Sequence, residues 1–205
     1  MPSLRSLRFV ALAAIVIVVA LAGFGVARLT GLIGPNTSIQ SLALPTIGGP
    51  FSLVDQNDKP VTDAAFRGKV MLVYFGYTFC PDVCPTELAK IGAALDALGP
   101  KANQVAPLFI TVDPERDTPA KLKPYVEQFS PRLIGLTGTP EQVKAVEKEY
   151  RVYAAKSGDT SGQYYLMDHT SFIYLMDQEG HYRAVSRPDI SPQALADKIR
   201  ELLRS

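Results

Sequence analysis

Two continuous apolar runs stand out along the chain, Val70–Phe75 (VMLVYF) and Val105–Val112 (VAPLFITV). Runs of this length without polar alternation predict strands covered on both faces, the habit of parallel strands inside an α/β sheet. Two hairpins are predicted as well. One pairs Phe51–Val54 with Lys59–Thr62 across Gln56-Asn57-Asp58, and the other pairs Ser171–Met176 with His181–Ser186 across Asp177–Gly180. Four helices open with the same device, a capping residue followed by Pro at the first helical position, where its missing N–H costs nothing. Cys84-Pro85 precedes Leu88, Ile91, Leu95 and Leu98 on one face, so Cys84 is expected to be the N-cap. Thr118-Pro119 precedes Leu122, Val126 and Phe129, with a kink expected at Pro124. Thr139-Pro140-Glu141-Gln142 reads as a capping box ahead of Val143, Val146 and Tyr150. Ser191-Pro192 opens the last helix, with Leu195, Ile199 and Leu202 inward.

The order is thus hairpin, strand, helix, strand, helix, helix, hairpin, helix. A strand, helix and strand in succession make a right-handed crossover with two parallel strands. The closing hairpin and helix complete a thioredoxin-like α/β sandwich. Ahead of it, 19 uncharged residues run from Phe9 to Ala27, just enough to cross a bilayer as a helix. A cleaved signal peptide is the rival, with Ala20-Leu21-Ala22 as its cleavage site, but the apolar run continues beyond it and favours retention. Arg5 and Arg8 before the span outweigh Arg28 after it, which places the N-terminus in the cytoplasm and the domain outside. No amphipathic transit peptide is present, so a bacterial inner membrane with the domain in the periplasm is expected. The expected organisation is an anchor over 1–28, a tether over 29–42 and a folded domain over 43–205.

Composition then narrows the chemistry. Over 205 residues the net charge is only +1, which gives no basic field for nucleic acid. Two Cys are too few for a disulfide-stapled scaffold or a four-Cys zinc site. Both lie in Phe79-Cys80-Pro81-Asp82-Val83-Cys84-Pro85, directly after the first buried strand. A helix N-terminus there would favour thiolates. A purely structural disulfide across so short a loop adds little stability, about 3 kcal/mol or less.

Ligands collect outside the carboxyl ends of parallel strands. The Cys loop and Asp113 both follow such ends. If the strand at 171–176 is antiparallel to them, Asp168-His169 returns to the same edge. Two thiolates and one imidazole suit copper or zinc, and structural zinc would close a fourth protein position. A three-ligand site that leaves copper accessible suits a carrier. Met167 is expected on the face of His169, as a core contact rather than a thioether ligand. Met71 and Met176 are expected in the core, and His181 in solvent. In the charged segment Asp113-Pro114-Glu115-Arg116-Asp117, Asp113 is read either as a loop residue or as a hydrogen-bonding partner that tunes the ligands. For Glu115, Arg116 and Asp117 a solvated loop is expected, with partner docking as the second reading.

At these residues the chain resembles the Sco/SenC family of membrane-anchored copper proteins. The carrying segments are Gly48–Asp55, Phe66–Glu87, Thr111–Pro119 and Tyr165–Ser171, with Thr170 standing where family members often have Ser. The resemblance implies that Cys80, Cys84 and His169 are copper ligands and that Asp113 is the acidic residue beside them. It implies a metallochaperone that brings copper to the dinuclear centre of cytochrome c oxidase subunit two. It also leaves a thiol-disulfide oxidoreductase, in which Cys80 and Cys84 form the redox-active pair and keep the client's cysteines reduced. The partners expected are that subunit or a similar client, together with a periplasmic copper donor or thiol reductant. Redox thioredoxins use Cys-x2-Cys, and the wider spacing here with its dedicated His favours the carrier. A thiol peroxidase is the weakest reading, because no peroxide-activating arrangement is evident.

Overall fold

A computed structural model describes residues 15–22, 24, 26, 46–160, 162 and 164–204. The chain divides into two units, Met1–Leu44 and Pro45–Ser205. In the first, the described residues are helical and exposed. Among the described residues no helix is long and apolar enough to cross a membrane. The expected span Phe9–Ala27 lies partly, and the tether over 29–42 wholly, outside the described residues.

The second unit is an α/β sandwich built on a seven-stranded mixed sheet. β3 (Val70–Gly76) and β4 (Val105–Thr111) are the two apolar runs, and they pair in parallel with every residue buried. β5 (Ile134–Thr137) extends the parallel set beyond β4. The hairpin β1 (Ser52–Asp55) and β2 (Pro60–Thr62) closes that side, with β1 antiparallel to β5. On the other side β8 (Ile173–Met176) runs antiparallel to β3, and β9 (Tyr182–Ser186) pairs with β8. The strand order is β2-β1-β5-β4-β3-β8-β9. The turn before β9 is held by Asp177, whose carboxylate accepts N–H bonds from Glu179 and His181 at 3.1 and 2.8 Å.

Helices cover both faces, as the all-apolar central strands require. α1 (Val83–Leu98) packs against α4 (Pro192–Leu202). α2 (Pro119–Glu127) sends Tyr125 onto Phe109, which stacks on Tyr74 of the neighbouring strand. Phe75 and Tyr174 point to the opposite face and receive Tyr150 of α3 (Pro140–Tyr150). The capping box at Thr139 and Gln142 is formed on both sides, and the Ser191 hydroxyl accepts from Ala194 N–H at 3.2 Å.

Three features depart from the sequence reading. α1 begins at Val83, so its N-cap is Asp82 and Cys84 lies inside the first turn. Thr86 N–H closes that turn on the Asp82 carbonyl at 3.3 Å. Pro85 is tolerated there because first-turn N–H groups have no intrahelical partner to lose. β5 was not expected, being four residues of mixed character, Ile-Gly-Leu-Thr. The segment before β8 is itself paired: β6 (Ala154–Ser157) and β7 (Leu166–His169) form a separate two-stranded sheet, with Ala154 opposite His169.

Candidate metal centre

The carboxyl end of β3 delivers the Cys loop. Gly76 ends the strand, and its carbonyl accepts Val112 N–H at 2.8 Å, which holds the loops after β3 and β4 side by side. Asp117 binds them together. Its carboxylate accepts Thr78 N–H at 3.0 Å, the Thr78 hydroxyl at 2.5 Å and the Thr111 hydroxyl at 2.6 Å. Burial pushes the Asp117 carboxyl above the usual carboxylate range, against the pull of those hydrogen bonds. It is 1% exposed, so the expectation of a solvated loop residue is corrected here. A buried carboxylate is kept because it meets the loop's hydroxyl and N–H donors.

Both cysteines are free thiols. Cys84 is 0% exposed, while Cys80 is half-buried at the rim. The Cys84 N–H points at the Cys80 sulfur at 3.4 Å. His169 arrives from the end of β7 with Nε2 3.4 Å from Cys84 Sγ. Its Nδ1 lies 3.1 Å from the Thr170 carbonyl, which can only accept, so Nδ1 carries a proton and Nε2 faces the sulfurs. Tyr77 meets the imidazole edge-on at 5.8 Å between ring centroids, and Tyr74 does so at 6.4 Å. The ligand atoms of Cys80, Cys84 and His169 all lie within 4.8 Å of one another.

The two sulfurs are electrostatically unequal. Hydrogen bonding from the Cys84 thiol, outweighing partial burial and aided by His169, holds the Cys80 thiol down at about 3. Cys84 is pushed well above the ordinary thiol range by its bond to Cys80 and by desolvation. Without metal the pair therefore carries one negative charge on Cys80 and one proton on Cys84. A second group of potential ligands, Asp177, Glu179 and His181, lies at the β8–β9 turn. There His181 is exposed, as expected, and the Asp177 carboxylate is engaged by the turn.

Other residues named from the sequence fall as follows. Met71 and Met176 are core, and Met167 packs against the core from β7. Asp113 is 2% exposed, and its carboxylate meets Arg116 and the Tyr165 hydroxyl, the latter at 2.8 Å. It is a buried partner of these two residues, and the thiols are not among its partners. Arg116 is also no solvated loop residue. Its guanidinium lies 3.7 Å over the Tyr165 ring and 5.0 Å from the Phe79 ring, with Nη1 donating to the Tyr165 carbonyl at 2.9 Å. Glu115 is exposed and pairs with Lys156 at 2.7 Å. Sequence reasoning missed Tyr165 and Tyr77 altogether. The aromatic spacing Tyr77, Phe79, Tyr165 around the ligands was the available signal.

The arrangement is a compact soft donor set of two sulfurs and one imidazole nitrogen on an accessible rim. That chemistry fits copper(I) better than a closed structural zinc site, which takes four protein ligands.

The family profile described as SCO1/SenC matches residues 28–204. Protein sco1 of Schizosaccharomyces pombe is 43% identical over 164 residues, covering 78% of this chain and 62% of that protein. The solved structure of Bradyrhizobium japonicum ScoI with copper bound is 48% identical, covers 76% of this chain and 99% of that one, and superposes with a TM-score of 0.72. BsSco, whose structure is described as revealing a disulfide switch in a member of the Sco family of cytochrome c oxidase assembly proteins, is 22% identical with a TM-score of 0.63 and shares the fold.

Proposed function

The chain belongs to the SCO1/SenC family, and on that premise we propose that it is a membrane-anchored copper metallochaperone. In this reading Cys80, Cys84 and His169 hold the copper, and the recipient is the dinuclear copper centre of cytochrome c oxidase subunit two. The observation that carries it is the single cluster of two thiols and one imidazole within 4.8 Å. Copper is the cargo. Its uptake by the pair displaces the proton held at Cys84, since metal ligation requires the thiolate. The copper-bound state of the Bradyrhizobium relative supports the choice of metal. The apolar, uncharged run Phe9–Ala27 and the flanking arginines support a single inner-membrane anchor with the domain in the periplasm.

One observation favours a second reading. A stabilised Cys80 thiolate beside a protonated Cys84 is also the arrangement of a thiol-disulfide oxidoreductase, in which Cys80 attacks a client disulfide and Cys84 resolves it. The carrier reading gives His169 a necessary role and the redox reading does not.

The test is anaerobic copper(I) titration of the reduced full-length chain in detergent, with free thiols counted alongside. The expected result is one copper per chain with both thiols protected. His169→Ala is expected to lose most of the affinity while its dithiol is oxidised nearly as readily as the parent's. A variant that binds copper as tightly as the parent overturns the three-ligand carrier.

A further inference from the structure

His169 is carried on β7, whose only sheet partner among the described strands is β6. The two-stranded sheet shares no ladder with the seven-stranded sheet that presents the cysteines, so the pairing of β8 with β3 brings His169 to their edge but leaves the final placing of the imidazole to other contacts. Side chains fix the rest: Tyr74 and Tyr77 meet the imidazole, Phe79 meets Tyr164, Asp113 takes the Tyr165 hydroxyl and Glu115 pairs with Lys156, and among these Arg116 reaches Tyr165, Phe79, Tyr77 and Asp113 together. Arg116, with its side chain 15% exposed, lays its guanidinium 3.7 Å over the Tyr165 ring and donates to the Tyr165 carbonyl at 2.9 Å, four residues before His169. The same guanidinium lies 5.0 Å from the Phe79 ring, next to Cys80, and 5.9 Å from the Tyr77 ring, which itself meets His169. Its Nε is fixed by the Asp113 carboxylate, which also takes the Tyr165 hydroxyl.

We propose that Arg116 is the positioning residue for His169, a planar clamp that registers the β6–β7 sheet over the cysteine loop. A flat, delocalised cation suits this place: it stacks on aromatic faces while its N–H fork serves a carboxylate and a carbonyl, which an ammonium cannot do. Asp113 then acts on the imidazole's position through Arg116 and Tyr165. The proposal rests on the reading of His169 as a ligand, and deepens it.

The test uses the reduced, metal-free full-length chain in detergent, with Arg116→Ala and Arg116→Lys compared with the parent. Amide hydrogen exchange over Ala154–Ser157 and Leu166–His169 is expected to speed at least about tenfold in Arg116→Ala, while β3 and β4 stay protected. Copper(I) affinity is expected to fall about 10–100-fold, the usual effect of losing a residue that orients a ligand. In a His169→Ala background the same substitution is expected to change affinity less than about twofold, because the group being positioned is gone. Arg116→Lys is expected to resemble Arg116→Ala. Unchanged exchange over Leu166–His169, an undiminished affinity loss in the His169→Ala background, or full rescue by Lys each overturns the clamp. Should Arg116→Ala fail to fold, Tyr165→Phe, which keeps the ring but removes the bond to Asp113, is expected to show a smaller change in the same exchange. No change there overturns the proposal. A parent chain that takes up no copper refutes the reading of function instead, and the exchange measurement then decides the clamp alone.

Discussion

Replacing Gly76 with Ala tests how the buried sulfur is placed. Gly76 has no unusual backbone angle, and Gly within a strand is ordinarily weaker than Ala by about 0.5–1 kcal/mol, so a neutral site would gain stability. Here an added Cβ would lie 2.8 Å from Cys84 Sγ, 2.8 Å from Phe109 Cε2 and 3.2 Å from Tyr74 Cε1. Comfortable carbon contacts are about 3.5–4.0 Å, so the neighbours must retreat by about 0.7 Å. Phe109 and Tyr74 are large and fully buried, which leaves the small thiol of Cys84 to carry much of the movement. Overpacking of this kind costs about 1–3 kcal/mol. Ligand positions tolerate only about 0.2 Å of error at a metal site, so the same displacement is expected to lower copper(I) affinity at least about tenfold. Urea unfolding of the metal-free protein measures the first effect, and competition with a chromophoric copper(I) chelator measures the second. An Ala variant of parental affinity, whatever its stability, refutes the claim that Gly76 sets the Cys84 sulfur.

Three further outcomes follow from the electrostatics of the site. Because Cys80 titrates at about 3, iodoacetamide is expected to modify one thiol at a nearly constant rate between about pH 5 and 8, with Cys84 protected until the protein unfolds; a rate rising tenfold per unit toward an ordinary thiol midpoint near 8.5 contradicts this. A depressed folded-state value contributes stability that is complete above about 8.5 and lost as pH falls toward 3, so the stability gap between the reduced parent and Cys80→Ser should widen from pH 6 to 8, as read by urea midpoints; a gap that narrows sinks the assignment. Asp113→Asn is expected to leave the alkylation profile of Cys80 unchanged, since its carboxylate meets Arg116 and Tyr165, while speeding amide exchange in β7; a shifted thiol profile would restore a direct action on the sulfurs.

The long apolar runs and the Pro-marked helix starts made most of the sandwich legible, because burial on both faces and capping are local signals. The antiparallel return of β8 beside β3 was enough to bring His169 to the cysteines without any coordinates. What escaped were elements whose stability is not local. β5 is a four-residue strand ordered by its neighbours, and β6 and β7 are short, partly exposed strands that pair with each other apart from the main sheet. The charged segment misled for a related reason. Asp117 and Arg116 look solvated in sequence, and only the approach of Thr78, Thr111, Phe79 and Tyr165 makes burial acceptable for them.

The three donors are graded from wall to rim. Cys84 is locked in the first turn of α1 against Gly76, with no exposed surface. Cys80 sits half-buried in the loop before it, and His169 stands on a sheet that no ladder joins to the rest. A site meant to retain a metal gains from burying every ligand on one rigid frame. A site meant to release one gains from ligands that can be replaced singly. On the carrier reading, this gradient orders the exchange: an incoming thiolate would approach from the side of half-buried Cys80 and His169, and buried Cys84, which must recover its proton as the metal leaves, would let go last. The clamp at Arg116 lies on that same side, where a docking partner would be able to loosen it.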